Sequence, residues 1–457
     1  MKIKSFFLVS LLFLAACEKQ FEPGANVKDS KISRTSNGDV GYIPYADSAS
    51  LAEFQNDKKV VNFNLARKLA IMELQTSGFK RDMNWNGCEI SKMPVIIFGF
   101  DSKPKYYEFI VKDAEKKEIG TVSVHARKTK GGILHEIDGK VKDYTSLLSK
   151  SNGTGMKLFA TYGGSLYLGI PSKAGDAPMV VIDPQSGLAV TGKTELSDSA
   201  ILKLTSDSLR IYNLQYKLII DTVTDPDIRE QLVKADSVSV ETQIDSLAQA
   251  MEKAHQERDI YWNAVAQSAD SLLSTPDSAI NEQTSKDFWS WISGAYTDNP
   301  QYISKYSNDI CFKKNGWCGP WALAWIYHAN YGGVSQYNYF LNYTTPIFDY
   351  KPMLPPEMFI SMYNITVGKT FVAPWLWSDI KWAYNSVRRN VGPIIILAEW
   401  GSHWIVGYGT KGDGYWFWHN YYFAVNDNGH EFSDCNSQPH WQEAGWFMLY
   451  VPVADNR

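Results

Sequence analysis

The chain has 457 residues, 44% hydrophobic and 21% charged, with a formal net charge of −4. That is ordinary globular composition with room for two or three cored domains, and the charge gives no basic surface for a nucleic-acid partner. Aromatics reach 14% but are uneven: 14 of the 16 Trp lie after residue 285, which sets the last third apart.

The chain opens with MKIKSFFLVSLLFLAAC, in which Lys2 and Lys4 precede an apolar run from Phe6 to Ala16. That run is too short to span a bilayer and reads as a cleaved signal peptide over 1–17. Leu14-Ala15-Ala16-Cys17 resembles the bacterial lipobox. The resemblance implies cleavage before Cys17 and a diacylglycerol on its thiol. The expected product is a bacterial lipoprotein whose acyl chains hold it on the membrane. The expected location is the outer membrane, on its periplasmic or cell-surface side. No later stretch is apolar and long enough to cross a bilayer. Residues 18–45, polar and rich in Gly, Asn, Ser and Asp, read as a tether.

A first domain is expected over 46–193. It begins with NFNLARKLAIMELQTSG, where Asn64 is a suitable N-cap. Leu65, Leu69 and Met72 share one helical face, and Gly78 suits the position after the C-cap. Strand-like runs follow in MPVIIFGF, KYYEFIVKD, EIGTVSVHARK and APMVVIDPQSG, separated by turn residues. One helix with several antiparallel strands makes an α+β layer.

From Lys193 to Ser293 there is no glycine, although the chain contains 32. Ile244, Leu247 and Met251 keep helical spacing. Asp225-Pro226 and Thr275-Pro276 each read as N-cap plus Pro at N1. Two to four helices with polar outer faces are expected over 194–285, as a spacer or clamp between neighbours or as a plain helical subdomain.

The last domain is expected over 286–457. In NGWCGPWALAWIYHANYGG, Cys318 stands before Gly319 and Pro320 at the start of an apolar helix. The helix's positive end and free N–H groups favour thiolate there, and the same N–H groups can hold an oxyanion. The competing reading is a buried structural cysteine. The other cysteines are Cys88, Cys311 and Cys435. Beyond the inner membrane disulfides are permitted, and Cys311–Cys435 is one pairing among several. If Cys318 stays free, at least one other thiol is unpaired.

A thiolate nucleophile needs a base. His328 lies ten residues along the same helix, about 15 Å by helical rise, and cannot reach the sulfur. His403 is better placed: VGPIIILAEWGSHWIVGYG reads as a buried strand, a Gly-Ser turn and a second strand that begins at the histidine. His430 and His440 flank Cys435, but three ligands at unusual spacing argue against a metal site, and no cofactor or metal is expected. His419 reads as a packing residue. Gly412-Asp413-Gly414 reads as a turn, after which the chain delivers Asn420, Asn426 or Asp427 to orient the imidazole. Asn426, ending YYFAVN, is the first choice and Asp427 the second.

The order of these pieces resembles the papain-like fold and, within it, the streptopain family of bacterial cysteine peptidases. CGPWALAWIYHANYGG is similar to that family's nucleophile helix. VRRNVGPIIIL and SHWIVGYG are similar to its Pro-containing and His strands, and FAVNDNG with GWFMLYVP to its Asn segment and closing strand. The first domain, with ARKLAIMEL and YYEFIVKD, loosely resembles the family's inhibitory propeptide. The resemblance implies a papain-like C-terminal domain, with a Cys-bearing helix packed on an antiparallel sheet. It implies a zymogen whose substrate is a peptide or protein, with Cys318 as nucleophile, His403 as base and later acid, and Asn426 or Asp427 behind the imidazole. The family's oxyanion Gln has no counterpart in NDICFKKNGW, which leaves Asn315, Asn308 or backbone N–H groups for that role. The other open reading is a catalytically degenerate papain-like lipoprotein that binds peptides or glycans on its Trp-rich surface. The sequence gives no oligomeric state.

Overall fold

The computed structural model describes residues 44–129, 132–149 apart from 143, 156–160, 166–182 apart from 175 and 179, and 240–290. In the last third it describes 296–297, 301–302, 394–398, 403–415, 418–426, 440–443 and 449–452. Isolated positions add to these, among them 322 and 384–388 apart from 386.

Helices α1 (Ser48–Ala52), α2 (Phe63–Thr76) and α3 (Phe79–Asp82) open the described chain. The cap of α2 is Asn62, two residues before the expected Asn64, and its side chain accepts hydrogen bonds from the N–H groups of Asn64 and Leu65. Leu69, Ala70 and Met72 are buried along one stripe, with Leu65 packed beside them. Gly78, at φ 75°, ends the helix in the left-handed region that glycine occupies without a Cβ penalty.

Strands β1 (Glu89–Ile90), β2 (Val95–Phe98), β3 (Pro104–Lys112), β4 (Glu118–His125) and β5 (Leu134–Asp138) follow. Then come α4 (Tyr144–Ser149), β6 (Lys157–Ala160), β7 (Leu166–Ile170) and β8 (Val180–Ile182). The central region carries α5 (Val240–Ser274) and α6 (Glu282–Ser290). Thr275-Pro276 does not open a helix as expected. Thr275 donates back to Ser271 O at the end of α5, Pro276 leads into a 3-10 turn at Asp277–Ala279, and Asn281 caps α6 through Thr284 N. Asp225-Pro226 lies outside the described residues.

The last third contributes β9 (Tyr296–Thr297), β10 (Gln301–Tyr302), β11 (Ile394–Ala398), β12 (His403–Tyr415), β13 (Trp418–Asn426), β14 (His440–Glu443) and β15 (Leu449–Pro452). All fifteen described strands form one sheet in the order β15-β11-β12-β13-β14-β5-β4-β3-β2-β6-β7-β8. Strand β1 adds to β3, and β9 and β10 add to β12. Every pairing is antiparallel except β2 with β6. The expected first and last domains thus share a single sheet, joined where β14 meets β5 through His440↔Asp138, Trp441↔Ile137 and Gln442↔Glu136. The fold is mixed α and β, as the sequence suggests.

Strand alternation divides the sheet's two faces. Tyr107, Phe109, Val111, Val122, Val124, Ile137 and Trp441 belong to the core shared with α2 and α5. Val95, Ile97, Tyr106, Ile110, Leu158 and Leu168 form the second core, closed by Tyr144 and Leu147 of α4. Phe79 of α3 reaches over the junction edge-on, with its ring 4.9 Å from Tyr422 and 5.6 Å from Trp441. Tyr261 of α5 donates to Glu73 of α2 at 2.8 Å, and Glu73 in turn accepts from Ile133 N and Leu134 N. The helical region is therefore fixed to the first domain through a buried carboxylate.

Candidate functional site

The region of the expected catalytic histidine is an antiparallel hairpin. Ile394 and Ile396 of β11 and Ile405 and Val406 of β12 are buried, so the strands are held by core burial. The register runs from Ile394↔Gly407 to Ala398↔His403, which leaves residues 399–402 as the connection and makes His403 the first residue of β12. Gly407 is required by packing: a Cβ there would lie 2.8 Å from Ile394 Cγ1. Strand β13 pairs on the other side of β12, with Val406↔Asn426 and Asp413↔Asn420. Gly412-Asp413-Gly414 is not a turn. Asp413 and Gly414 are held on both sides, by β13 and by β9, and β12 continues to Tyr415, which pairs with Trp418 at the start of β13.

This register ranks the candidates for the third position by backbone distance. Asn420 pairs ten residues along β12 from His403, whereas Asn426 pairs three residues along. Because strand positions alternate between faces, the position of Asn426 has the parity of Val406, which alternates with that of His403. Asp427, Cys17, Cys311, Cys318, Cys435, His328 and His430 lie outside the described residues, as do Asn308 and Asn315. His419 and His440 are described as strand positions in β13 and β14. Of the expected Cys318 helix, Ala322 is described: it is helical and fully buried in the main core.

No protein-family model, curated protein or solved structure matches the chain.

A second constellation, absent from the sequence reading, lies at the junction of β5 and β14. His125 ends β4, His135 is in β5 and Glu443 ends β14. In the β4–β5 ladder Ser123 pairs with Glu136 and Val124 with Leu134, so His135 is the extra residue of a β-bulge. Its ring stacks on Tyr106 at 4.0 Å and 6°. His125 Nε2 lies 2.7 Å from Glu443 Oε2. His135 Nε2 is buried without a hydrogen-bond partner. Burial first, and then the neighbouring His125, push the His135 imidazole down to about 3, so it is neutral at physiological pH.

Beside these residues Lys142 bridges Glu108 at 2.5 Å and Glu136 at 3.5 Å, and all three are buried. Burial pushes Glu108 up to about 7 against the pull of Lys142. The attraction of the two carboxylates outweighs burial for Lys142 and holds its ammonium charged. Toward the α2 side, fully buried Lys411 of β12 bonds to Asp82 of α3 and sits 4.3 Å from the Phe79 ring centre. The sequence signal for this cluster was weak: His125 lies in the strand-like run EIGTVSVHARK, but LHEID and HWQE carry no strand or site pattern of their own.

An open groove of about 780 Å³ in the first domain is lined by Arg67, Ile71, Trp85, Cys88, Met93 and Asp277 among others. Cys88 is free and half-buried, and burial pushes its thiol up. Among the described residues no histidine lines the groove.

Among the described residues no helix is long and apolar enough to cross a membrane.

Proposed function

We propose that the chain is a cysteine peptidase with a papain-like last domain. Cys318 is the nucleophile and His403 the base and then the acid, with Asn426 or Asp427 orienting the imidazole. The Cys318 thiolate attacks the scissile carbonyl. His403 protonates the departing amine, and a water that His403 deprotonates then releases the acyl group from sulfur. No metal or cofactor takes part.

The observation that carries this reading is the three-strand order β11-β12-β13. His403 opens the middle strand just after a hairpin, and Asn426 stands at the end of the next strand, opposite Val406. A histidine at a strand start is held by the ladder yet lies at its edge. The helical, fully buried Ala322, four residues beyond Cys318, supports a helix packed on the core behind the thiol.

In the same proposal residues 46–193 act as an inhibitory prodomain, and Cys17 carries the lipid anchor to the outer membrane. The shared sheet qualifies how such a prodomain would leave: the ladder between β5 and β14 must open. A permanent lipoprotein architecture, in which the first domain stays in place, is favoured by that same ladder.

The test is hydrolysis of a mixed peptide library by the full chain before and after limited proteolysis. Cleavage that disappears in Cys318→Ala, and falls about 10²- to 10⁴-fold in His403→Ala, supports the proposal. Cleavage unaffected by Cys318→Ala, or no cleavage in any form, leaves the degenerate binding module.

A further inference from the structure

We propose that His125, His135 and Glu443 form a site for one zinc-class divalent cation at the junction of the first and last domains. This does not depend on the peptidase reading.

The donor set comes first. One ligating atom from each residue lies within 4.8 Å of the other two. Bonds of about 2.0–2.2 Å place neighbouring donors of a tetrahedral zinc roughly 3.3 Å apart. The widest pair must therefore close by about an ångström or slightly more, which side-chain rotation at strand ends can supply. Two imidazoles and one carboxylate suit a borderline cation and leave a fourth position for water.

The second observation is independent. His135 Nε2 is an orphan: the residue is 6% exposed and this nitrogen has no partner. A buried polar atom without a partner is costly. Stacking on Tyr106 and the β-bulge fix the ring in place without satisfying that nitrogen. A neutral imidazole lone pair beside a second imidazole and a carboxylate is what a metal uses.

Charged groups of both signs surround the site: Glu443, Glu136, Glu108, Lys142 and Lys105 are all buried. Lys142 bridges Glu108 and Glu136, and Lys105 lies over the Tyr106 ring. The donor set and the orphan nitrogen, not net charge, are what favour a cation here.

The placement gives the site a role. His125 and His135 belong to the first domain and Glu443 to the last, next to the Gln442↔Glu136 pair that joins them. Along the two strands, Glu443 and His135 are the next residues in turn. A bound cation would add a cross-strand clamp at the end of that short ladder.

The experiment uses the full chain carrying Cys318→Ala, so that no thiolate at that position competes. The chain is stripped with chelator, incubated with Zn²⁺ or Co²⁺, desalted and measured for bound metal. The expected result is one retained equivalent. X-ray absorption of the zinc form should show two imidazoles and oxygen donors, and the cobalt form should lack a thiolate charge-transfer band. His135→Gln and Glu443→Gln, each checked for native circular dichroism, should weaken binding at least about tenfold. His430→Gln should leave it unchanged. The proposal is overturned by absence of a retained equivalent, by a sulfur shell, or by affinity lost in His430→Gln and kept in His135→Gln. The first two readings need no variant beyond the Cys318→Ala chain, itself checked for native circular dichroism.

Discussion

His125 Nε2 and Glu443 Oε2 lie 2.7 Å apart although 318 residues separate them in sequence. This buried contact sits where β4 and β5 of the first domain meet β14 of the last. It shows the scale on which the fold is held: the two ends of the chain share one sheet and one polar core. The consequences of that junction can be measured.

The ion pair between Lys411 and Asp82 crosses the junction with the ammonium fully buried. Removing Asp82 takes the close counter-charge from a buried ammonium. Asp82→Ala should therefore destabilise the chain in urea unfolding, by up to about 3–5 kcal/mol. The double variant Asp82→Leu/Lys411→Met, which strands no charge, should recover most of that loss. A single variant as stable as wild type would mean that Lys411 finds water or another partner.

Glu108 makes a pH test possible. Its folded value, about 7, is above the ordinary carboxyl value, with burial the largest cause and Lys142, Glu136 and Asp138 the charged neighbours. A raised folded value means that the folded state holds the proton more tightly. Its contribution is then full below the ordinary carboxyl range and lost as pH rises through about 7. The urea midpoint should decline between about pH 5 and 7.5 by this term. Glu108→Gln, whose amide oxygen can still accept from Lys142 and which resembles the neutral carboxyl, should flatten that decline. An unchanged slope in the variant would contradict the assignment.

The last domain should depend on the first for solubility. Expressed as residues 286–457, it exposes the edge of β14 with the adjacent Trp441 and Tyr422, which Phe79 covers in the whole chain. An uncovered apolar edge strand promotes association. Light scattering should show aggregation of this piece, relieved when residues 46–193 are supplied in trans. A monodisperse, fully folded piece on its own would count against a shared sheet.

Parity distinguishes the two candidates behind His403. Asn426 pairs with Val406, whose strand position alternates with that of His403, and Asp427 is the next residue. If the ladder's alternation continues past Asn426, Asp427→Ala should lower kcat/KM by roughly tenfold or more and Asn426→Ala by less. The reverse order would mean that the chain turns at Asn426.

Much of the first domain was legible. Leu65, Leu69 and Met72 gave α2, while its cap moved to Asn62, because two asparagines two residues apart can serve and side-chain geometry chooses between them. VIIF and YYEFIVK read as strands because they are β-branched and aromatic. Strand β5 did not: LHEID places His135, Glu136 and Asp138 in a sheet, with Lys142 just after the strand and Glu443 far along the chain among the groups that face them. The glycines around Asp413 suggested a reversal, but pairing of β12 with β9 and β13 overrode the local signal. The shared sheet itself was invisible, since β14 and β5 are joined by backbone hydrogen bonds that no local pattern announces. The hairpin strand starting at His403 was legible from the apolar runs on both sides of Gly-Ser.

The most direct measurement is thiol labelling of the native full chain with an iodoacetamide probe near pH 6, with the labelled residue mapped by mass spectrometry. A thiol beside an imidazole at a helix start has a pKa well below the free value of about 8.5, whereas burial pushes the Cys88 thiol up. The expected result is that Cys318 labels first, well ahead of Cys88, Cys311 and Cys435, and that His403→Ala slows Cys318 while leaving Cys88 unchanged. Equal slow labelling of all four cysteines, or a Cys318 rate indifferent to His403→Ala, would contradict a Cys318–His403 catalytic pair.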